Sequence, residues 1–169
     1  VAYSSLAVLD SANYGDVCGI SAGAVIGGYA QNNNARGLYL KTVNWGNYGA
    51  LNGLTNGAFV ANFATDLGTG VSGSFSLIST NCFTVSENPA FGVCSTSFDF
   101  ERFYIETNGL YSATMKDFSA ARTVKALNSW AQANGYEPWV LGKVGDQVYP
   151  ELGIFCQKPY ASGLMLLLR

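Results

Sequence analysis

The sequence predicts a β-rich α+β fold, an antiparallel sheet or sandwich with one main helix packed on it. Two observations predict this class. Short apolar runs recur between Asn, Gly and Ser turn signals along most of the chain. A helical spacing of apolar residues is clear in one segment, at about 119–134. The length of 169 residues predicts a single domain that spans 1–169.

Strand candidates fill the first two thirds of the chain. The stretch 1–9 alternates loosely and leads into turn-rich sequence. The small, apolar stretch 21–30 fits either a short buried helix or a glycine-bearing strand. Further strand candidates follow at 38–54, 57–64, 71–80 and 98–106. No repeat of 20–50 residues is evident among these segments, and their turn signals are typical of loops and hairpins.

The predicted helix has signals at both ends. Ser119 can cap the free N–H groups of the first turn, and Gly135 is a natural residue just past the last turn. Its apolar residues form one stripe, and polar residues face away from it. Short strands are predicted after the helix, at 139–144, 147–149, 153–157 and 164–169.

The composition indicates an extracellular protein with no nucleic-acid partner and no membrane span. Charged residues make up 12% of the chain, about half the usual share. The nine basic residues are scattered, so no phosphate-binding patch is predicted. No apolar stretch is long enough to cross a membrane. The chain opens on Val1 without Met, as expected of a secreted product whose signal peptide has been removed.

Four cysteines support the same location. They include no C-x-x-C pair, and the chain has no histidine, which favours two disulfides over a zinc site. Neither a metal nor a cofactor is expected. Because Cys82 and Cys94 are close in sequence, we expect them to close a local loop, with Cys18 and Cys156 linking the chain ends. Four small buried hydrophobic side chains are the alternative.

One motif has the pattern of a nucleophilic serine. Gly19-Ile20-Ser21-Ala22-Gly23 is a G-x-S-x-G sequence, which can place a serine on a strand-to-helix turn. In context, DVCGISAGAVIGGYA resembles the nucleophile elbow of patatin-like lipid acyl hydrolases, a family that pairs its serine with Asp. The resemblance implies a serine acyl hydrolase with Ser21 as nucleophile. The Asp-Gly dipeptide and the upstream glycine-rich loop of that family are absent, so we expect no catalytic residue and no enzyme.

Two further patterns have a binding interpretation. Asp99 and Glu101, with Glu106 nearby, would share a strand face as a carboxylate pair, although a strand with one solvated face gives the same alternation. Trp45 and Tyr48 lie in an amide-rich stretch and could stack on sugar rings. A secreted carbohydrate-binding module is therefore the first alternative function.

The C-terminal run is apolar on both faces and must be covered on both. It consists of Leu164, Met165, Leu166, Leu167 and Leu168. The run fits a central strand in the core of its own chain or a strand inserted into a neighbouring subunit, and 1–9 could have the same use. Because low charge favours packed subunits, we expect an extracellular structural subunit that self-assembles into a filament, pilus-like fibre or shell. Its partners would be copies of itself, with glycans as the partners in the alternative.

Overall fold

The computed structural model describes residues 3–32, 37–66, 74–96 and 103–156. These residues form thirteen strands and one helix. The elements are β1 (Tyr3–Asn13), β2 (Val17–Cys18), β3 (Ser21–Gly23), β4 (Ile26–Asn32), β5 (Gly37–Asn47), β6 (Leu51–Asn52), β7 (Thr55–Gly57), β8 (Val60–Asp66), β9 (Ser74–Thr84), β10 (Phe91–Thr96), β11 (Phe103–Ser112), α1 (Ala120–Asn134), β12 (Trp139–Val144) and β13 (Gln147–Leu152).

Successive segments of the chain lie side by side and run in the same direction. β1 to β4 pair in parallel with β5 to β8, each residue with the one 34 positions later, as Tyr3 with Gly37. β5 pairs with β9, β9 with β11, and β8 with β10. The chain therefore winds through stacked coils: coil 1 is β1 to β4, coil 2 is β5 to β8, coil 3 is β9 and β10, and coil 4 is β11. This arrangement is a parallel β-helix, or β-solenoid.

The main sheet is parallel, so the predicted antiparallel sheet or sandwich is wrong. Its strand order is β1-β5-β9-β11, and all three pairings are parallel. The Asn and Gly signals that predicted hairpins instead mark corners within a coil, where the chain turns without pairing back on itself. Among the described strands, β12 and β13 form the one antiparallel pair, next to a turn with Gly145 at φ 61°.

A 34-residue repeat underlies coils 1 and 2, and the prediction of no repeat is also wrong. The tripeptide Asn-Tyr-Gly at 13–15 recurs at 47–49, and glycines 19 and 23 recur at 53 and 57. Between coils 2 and 3 the spacing is 37 in the main sheet, as Gly37 with Ser74, and 31 between β8 and β10, as Val60 with Phe91. Between coils 3 and 4 it is 28, as Phe75 with Phe103. The repeat is obscured because its length changes from coil to coil.

Two apolar clusters hold these elements together. The first fills the interior of the solenoid and includes Leu40, Trp45, Phe59, Leu77, Cys82 and Phe91. The second lies on the outer flank of the main sheet, where α1 and the β12–β13 hairpin cover the second halves of the long strands; it includes Tyr48, Phe83, Leu127, Trp139 and Leu152. The helix and the hairpin therefore lie alongside the solenoid.

Helix α1 confirms the one main helix of the prediction. The Ser119 side chain accepts a hydrogen bond from the Arg122 backbone N–H, and Gly135 ends the helix in the left-handed region at φ 73°. The buried face consists of Thr123, Leu127 and Ala131. Within the described parts of the chain, no helix has the length and apolar character needed to span a bilayer.

Gly49 tests how closely coils 1 and 2 stack. A Cβ at Gly49 would lie 1.9 Å from the carbonyl oxygen of Gly15, whereas a Cβ at Gly15 would meet only Asn13 Oδ1, at 3.8 Å. We predict that Gly49→Ala lowers the free energy of unfolding by about 1–3 kcal/mol, the usual cost of overpacking. Gly15→Ala, at the same position of the repeat, should cost much less. Denaturant titrations measure both values, and equal losses would contradict the stacking described.

Candidate functional site

The end of the solenoid formed by coil 1 has unpaired strand edges. Within the described residues, β1 is an edge of the main sheet and β4 is an edge of the sheet ordered β10-β8-β4. β2 and β3 pair with coil 2 alone. The remaining backbone N–H and C=O groups of such edges are a template for pairing with another strand. We call this surface the open end.

The interior of the solenoid reaches solvent at the open end. Leu6, Leu40 and Leu77 share one register position in coils 1, 2 and 3. Leu40 and Leu77 are 1% and 0% exposed, but Leu6 is 42% exposed. Full burial of a leucine side chain contributes about 1.5–3 kcal/mol. A further coil placed over coil 1 would therefore gain burial that the isolated chain lacks.

A column of left-handed residues runs through all four coils. Asp10, Asn44, Asn81 and Gly109 have φ values of 43°, 53°, 55° and 67°. The strand pairing skips these positions. Asn, Asp and Gly adopt this conformation at the least cost. Each residue therefore kinks its strand without shifting the register. The kink changes which side chains point inward, since Leu40 before it and Trp45 after it both lie in the interior cluster.

Asn44 joins three coils to the hairpin. Its Nδ2 donates to Asp10 Oδ1 at 2.6 Å and to the Glu137 carbonyl at 2.8 Å. Its Oδ1 accepts from Asn81 Nδ2 at 2.7 Å and from the Trp139 indole N–H at 2.5 Å. Asn44, Asn81 and Trp139 are all buried. Because every polar group of Asn44 has a partner, the buried network is stabilising.

A second polar column lies where the long strands end. Asn13 Nδ2 donates to Asn47 Oδ1 at 2.8 Å, and Asn47 Nδ2 donates to Thr84 Oγ1 at 3.5 Å. Beside it, the Tyr14 ring stacks on the Tyr48 ring, with centroids 4.9 Å apart and planes 15° apart. Amide ladders and stacked aromatic rings are typical of strands that stack in register. Tyr14, in coil 1, remains exposed.

Strand β13 contacts the coils one after another. Its contacts, in chain order, are Tyr149 on the Phe83 ring of coil 3 at 5.8 Å, the Pro150 carbonyl with the Tyr48 hydroxyl of coil 2 at 2.6 Å, and Glu151 Oε1 with the Tyr14 hydroxyl of coil 1 at 2.5 Å. The strand therefore advances along the stack from coil 3 to coil 1.

A cleft adjoins coil 1 where β13 ends. Its volume is about 460 Å³, and its lining includes Tyr14, Glu151, Ile154 and Phe155. Glu151 is buried, and its carboxylate occupies the space over Gly142 that a Cβ would need. Ile154 and Phe155 are exposed. The flank beside the open end therefore presents apolar side chains.

The titratable groups buried near these columns favour their neutral forms. Burial raises the pKa of Tyr14, and its hydrogen bond to Glu151 raises it further. Burial also raises the pKa of Tyr48 well above its ordinary value. The pKa of the Cys82 thiol rises from 9.0 to about 11 because the side chain is fully buried. A thiol this far from ionisation is a weak nucleophile, so Cys82 is not an activated nucleophile.

No disulfide joins the described cysteines to one another. Cys18 is exposed, Cys82 lies in the solenoid interior, and Cys156 is half-buried. Cys18 Sγ accepts a long hydrogen bond from Asn52 Nδ2 at 3.7 Å. The Cys18–Cys156 link is not formed in this structure. Because Cys82 is a free thiol, the expected Cys82–Cys94 link is not formed in this structure either.

Ser21 lies in an extended segment of coil 1. It belongs to β3 and pairs with Thr55, and β4 follows where a nucleophile elbow would have a helix. Gly23 has a packing role, because a Cβ there would lie 2.2 Å from the Ile26 carbonyl oxygen. The G-x-S-x-G pattern therefore forms part of a corner of coil 1.

The other predicted sites are buried or lie outside the described residues. Trp45 and Tyr48 are buried, with the Trp45 ring edge-on to Phe59 at 4.8 Å, so neither can stack on a sugar. Glu106 lies in β11 and accepts a hydrogen bond from Asn108 Nδ2. Asp99, Glu101 and the apolar run 164–168 lie outside the described residues.

Sequence reasoning missed the left-handed column and its network. Asp10, Asn44 and Asn81 were interpreted as ordinary strand or turn residues. Their signal was the recurrence of Asp or Asn at spacings of 34 and 37, which becomes visible once the coils are aligned.

Comparisons with known proteins find no relative of this chain. No protein-family model matches the sequence, and no curated protein or solved structure shows a significant match.

Removing the Asn44 side chain should loosen the flank from the coils. Asn44→Gly keeps the left-handed backbone accessible but leaves the Trp139 indole N–H and the Glu137 carbonyl without their partner. We predict a loss of at least about 2 kcal/mol in the free energy of unfolding, since each buried orphan group costs about 1–3 kcal/mol.

Asn81→Gly is the matched control for this change. It removes the hydrogen bond to Asn44 Oδ1 and spares the contacts with the hairpin. We expect it to cost less than half as much in thermal or denaturant unfolding. Equal losses would mean that Asn44 does not hold the hairpin.

The Cys82 thiol predicts a loss of stability at alkaline pH. Its pKa is 9.0 ordinarily and about 11 in the fold, so its contribution is complete below pH 9 and is lost as the pH rises through 11. Two pKa units correspond to about 2.7 kcal/mol. We predict that between pH 9 and 11 the wild-type free energy of unfolding falls by about 2–3 kcal/mol more than that of Cys82→Ser. The tyrosines titrate in both proteins, so an equal fall would show that Cys82 does not ionise, as in a Cys82–Cys94 disulfide.

Proposed function

We propose that this protein is an extracellular structural subunit that self-associates by adding coils at the open end. The observation that carries the proposal is the contrast along one interior column: Leu6 in coil 1 is 42% exposed, while Leu40 in coil 2 is 1% exposed. The leucine at this position is buried in coil 2, which coil 3 covers. It is half exposed in coil 1, which no described coil covers on its outer side. Repeat proteins that remain monomeric normally end in a polar capping repeat.

The backbone of the open end supports the same function. β1 uses one edge to pair with β5 of its own chain and offers its second edge. Natural sheets protect such edges with charges, proline or bulges. β1 contains one charged residue, Asp10, which accepts a hydrogen bond from Asn44. The rest of its edge has no charge and no proline.

The side-chain columns favour a stacked partner over an unrelated one. The Asn13–Asn47 amide contact and the Tyr14–Tyr48 stack already repeat along the axis. Another coil carrying similar groups would continue both columns without rearranging coil 1. Identical amides and rings in register are what stabilise extended cross-β stacks.

Composition supports a location outside the cell and a packed assembly. Charged residues make up 12% of the chain and the net charge is −2. A small soluble monomer usually carries a larger share of surface charge. Contributions from the run 164–168 would add to this assembly and stay a prediction.

Carbohydrate binding is a second candidate, favoured by a polar groove along the coil corners. The groove has a volume of about 710 Å³ and is lined by amides and carboxylates, which hydrogen-bond well to sugar hydroxyls; they include Asp16, Asn52, Asn56, Glu87 and Asn88. Asn56 Oδ1 is buried there without a hydrogen-bond partner. Retention on a glycan surface by a variant that cannot assemble would favour this candidate.

Leu6→Lys tests assembly at the open end. The change places a charge where a covering coil would bury an apolar side chain, so we predict that the concentration needed for assembly rises about tenfold or more. Because Leu6 is half exposed in the single chain, the fold should persist by circular dichroism. Light scattering and electron microscopy measure assembly.

Leu54→Lys is the matched control, since Leu54 is 91% exposed and lies at a corner of coil 2, away from the open end. It should assemble like the parent protein. Equal effects of the two changes, or a parent that stays monomeric at high concentration, would contradict the proposal.

A further inference from the structure

The two edges of the main sheet lie at opposite ends of the stack. Within the described residues, β1 is one edge and β11 is the other, and all pairings from β1 to β11 are parallel. When β11 of one copy meets β1 of the next, the pairing is again parallel. Such a head-to-tail contact does not close on itself and builds a filament.

We infer that the partner surface for the open end is the β11 edge of a second copy, in the register that places Gly109 opposite Asp10. This inference rests on the proposed self-association and specifies its geometry. The register follows the existing column, in which Asp10, Asn44, Asn81 and Gly109 already share one position. In that register Asn108 lies opposite Leu9, and Leu110 lies opposite Ser11.

The left-handed column selects this register over its neighbours. A left-handed residue kinks its strand, so side chains before and after it face opposite ways relative to an unbroken strand. Two strands with one such kink each pair along their full length only when the kinks coincide, as they do between the existing coils. A slip by one residue would place inward residues of one strand against outward residues of the other.

The flank beside the open end carries exposed apolar side chains, and the flank beside coil 4 carries an apolar cavity. Beside the open end, Ile154 and Phe155 are exposed. Beside coil 4, a cavity of about 450 Å³ is lined mainly by apolar groups, with Tyr111, Met115 and Phe118 among them. Both features belong to the flank that carries α1 and the hairpin. In a head-to-tail stack they face each other, and apolar side chains of one copy enter the cavity of the next.

Within the described residues, coil 4 consists of one strand, β11. The continuous pairing across the junction is therefore confined to the main sheet. This makes β1 and β11 the strands whose protection should change most on assembly.

Cysteine trapping tests the register. In a Cys18→Ser background, which removes the exposed thiol, a Leu9→Cys protein is mixed with an Asn108→Cys protein under mild oxidation. The inferred register brings these Cα atoms to the separation of neighbouring strands, about 5 Å, which a disulfide can bridge. The control mixes Ser5→Cys with Asn108→Cys, a pair displaced by about 13 Å along the strand.

The expected result is a covalent dimer from the Leu9→Cys mixture and none from the control. Assembly without this crosslink, crosslinking in both mixtures, or a Leu9→Cys protein that links to itself would overturn the register while leaving self-association in place. A parent protein that stays monomeric would overturn both.

Hydrogen exchange on the unmodified protein gives a second measurement that needs no variant. Amides of β1 and β11 should become protected together when the protein assembles. Protection of β1 without β11 would assign the open end a different partner surface and would refute the inference.

Discussion

The hydrogen bonds of Asn44 are the interaction on which the rest of this structure depends. One buried amide binds coil 1 through Asp10, coil 3 through Asn81 and the hairpin through Glu137 and Trp139. The same residue adopts the left-handed conformation that kinks its strand. The conformation of the strand, the stacking of the coils and the packing of the flank therefore all involve this one residue.

That constraint also explains why the first coil differs from the others. The column through Asn44 fixes the register of the long strands, and β5 of coil 2 pairs on both sides, with β1 and with β9. Coil 1 has a counterpart on one side within the described chain. Leu6 and Tyr14 are therefore exposed at positions where Leu40 and Tyr48 are buried, and the difference arises from place in the stack alone.

Local signals predicted the local elements well. The capped helix at Ser119 and Gly135 and the hairpin that follows it depend on contacts between near neighbours, and the structure contains both. Most strand positions were also recognisable from their apolar and β-branched residues. Such signals act over a few residues, so they carry over from sequence to structure without knowledge of the fold.

The parallel arrangement could not be predicted from such local signals. An Asn-Gly corner in a coil and an Asn-Gly turn in a hairpin have the same local chemistry, and only partners 28 to 37 residues away distinguish them. The open end was hidden for the same reason, because Leu6 is recognisable as an uncovered interior residue only beside Leu40 and Leu77. The apolar runs at both ends of the chain were predicted as assembly elements, but Leu6 was not recognised as an interior residue without a covering coil.

Fibre diffraction from aligned assemblies tests the central claim most directly. If coils add along the solenoid axis, the spacing between strands of about 4.8 Å must appear along the fibre axis. A copy that contributes four strands to the main sheet should also give an axial repeat of about 19 Å. A strand spacing perpendicular to the fibre axis, or a protein that forms no ordered assembly, would contradict coil-on-coil association.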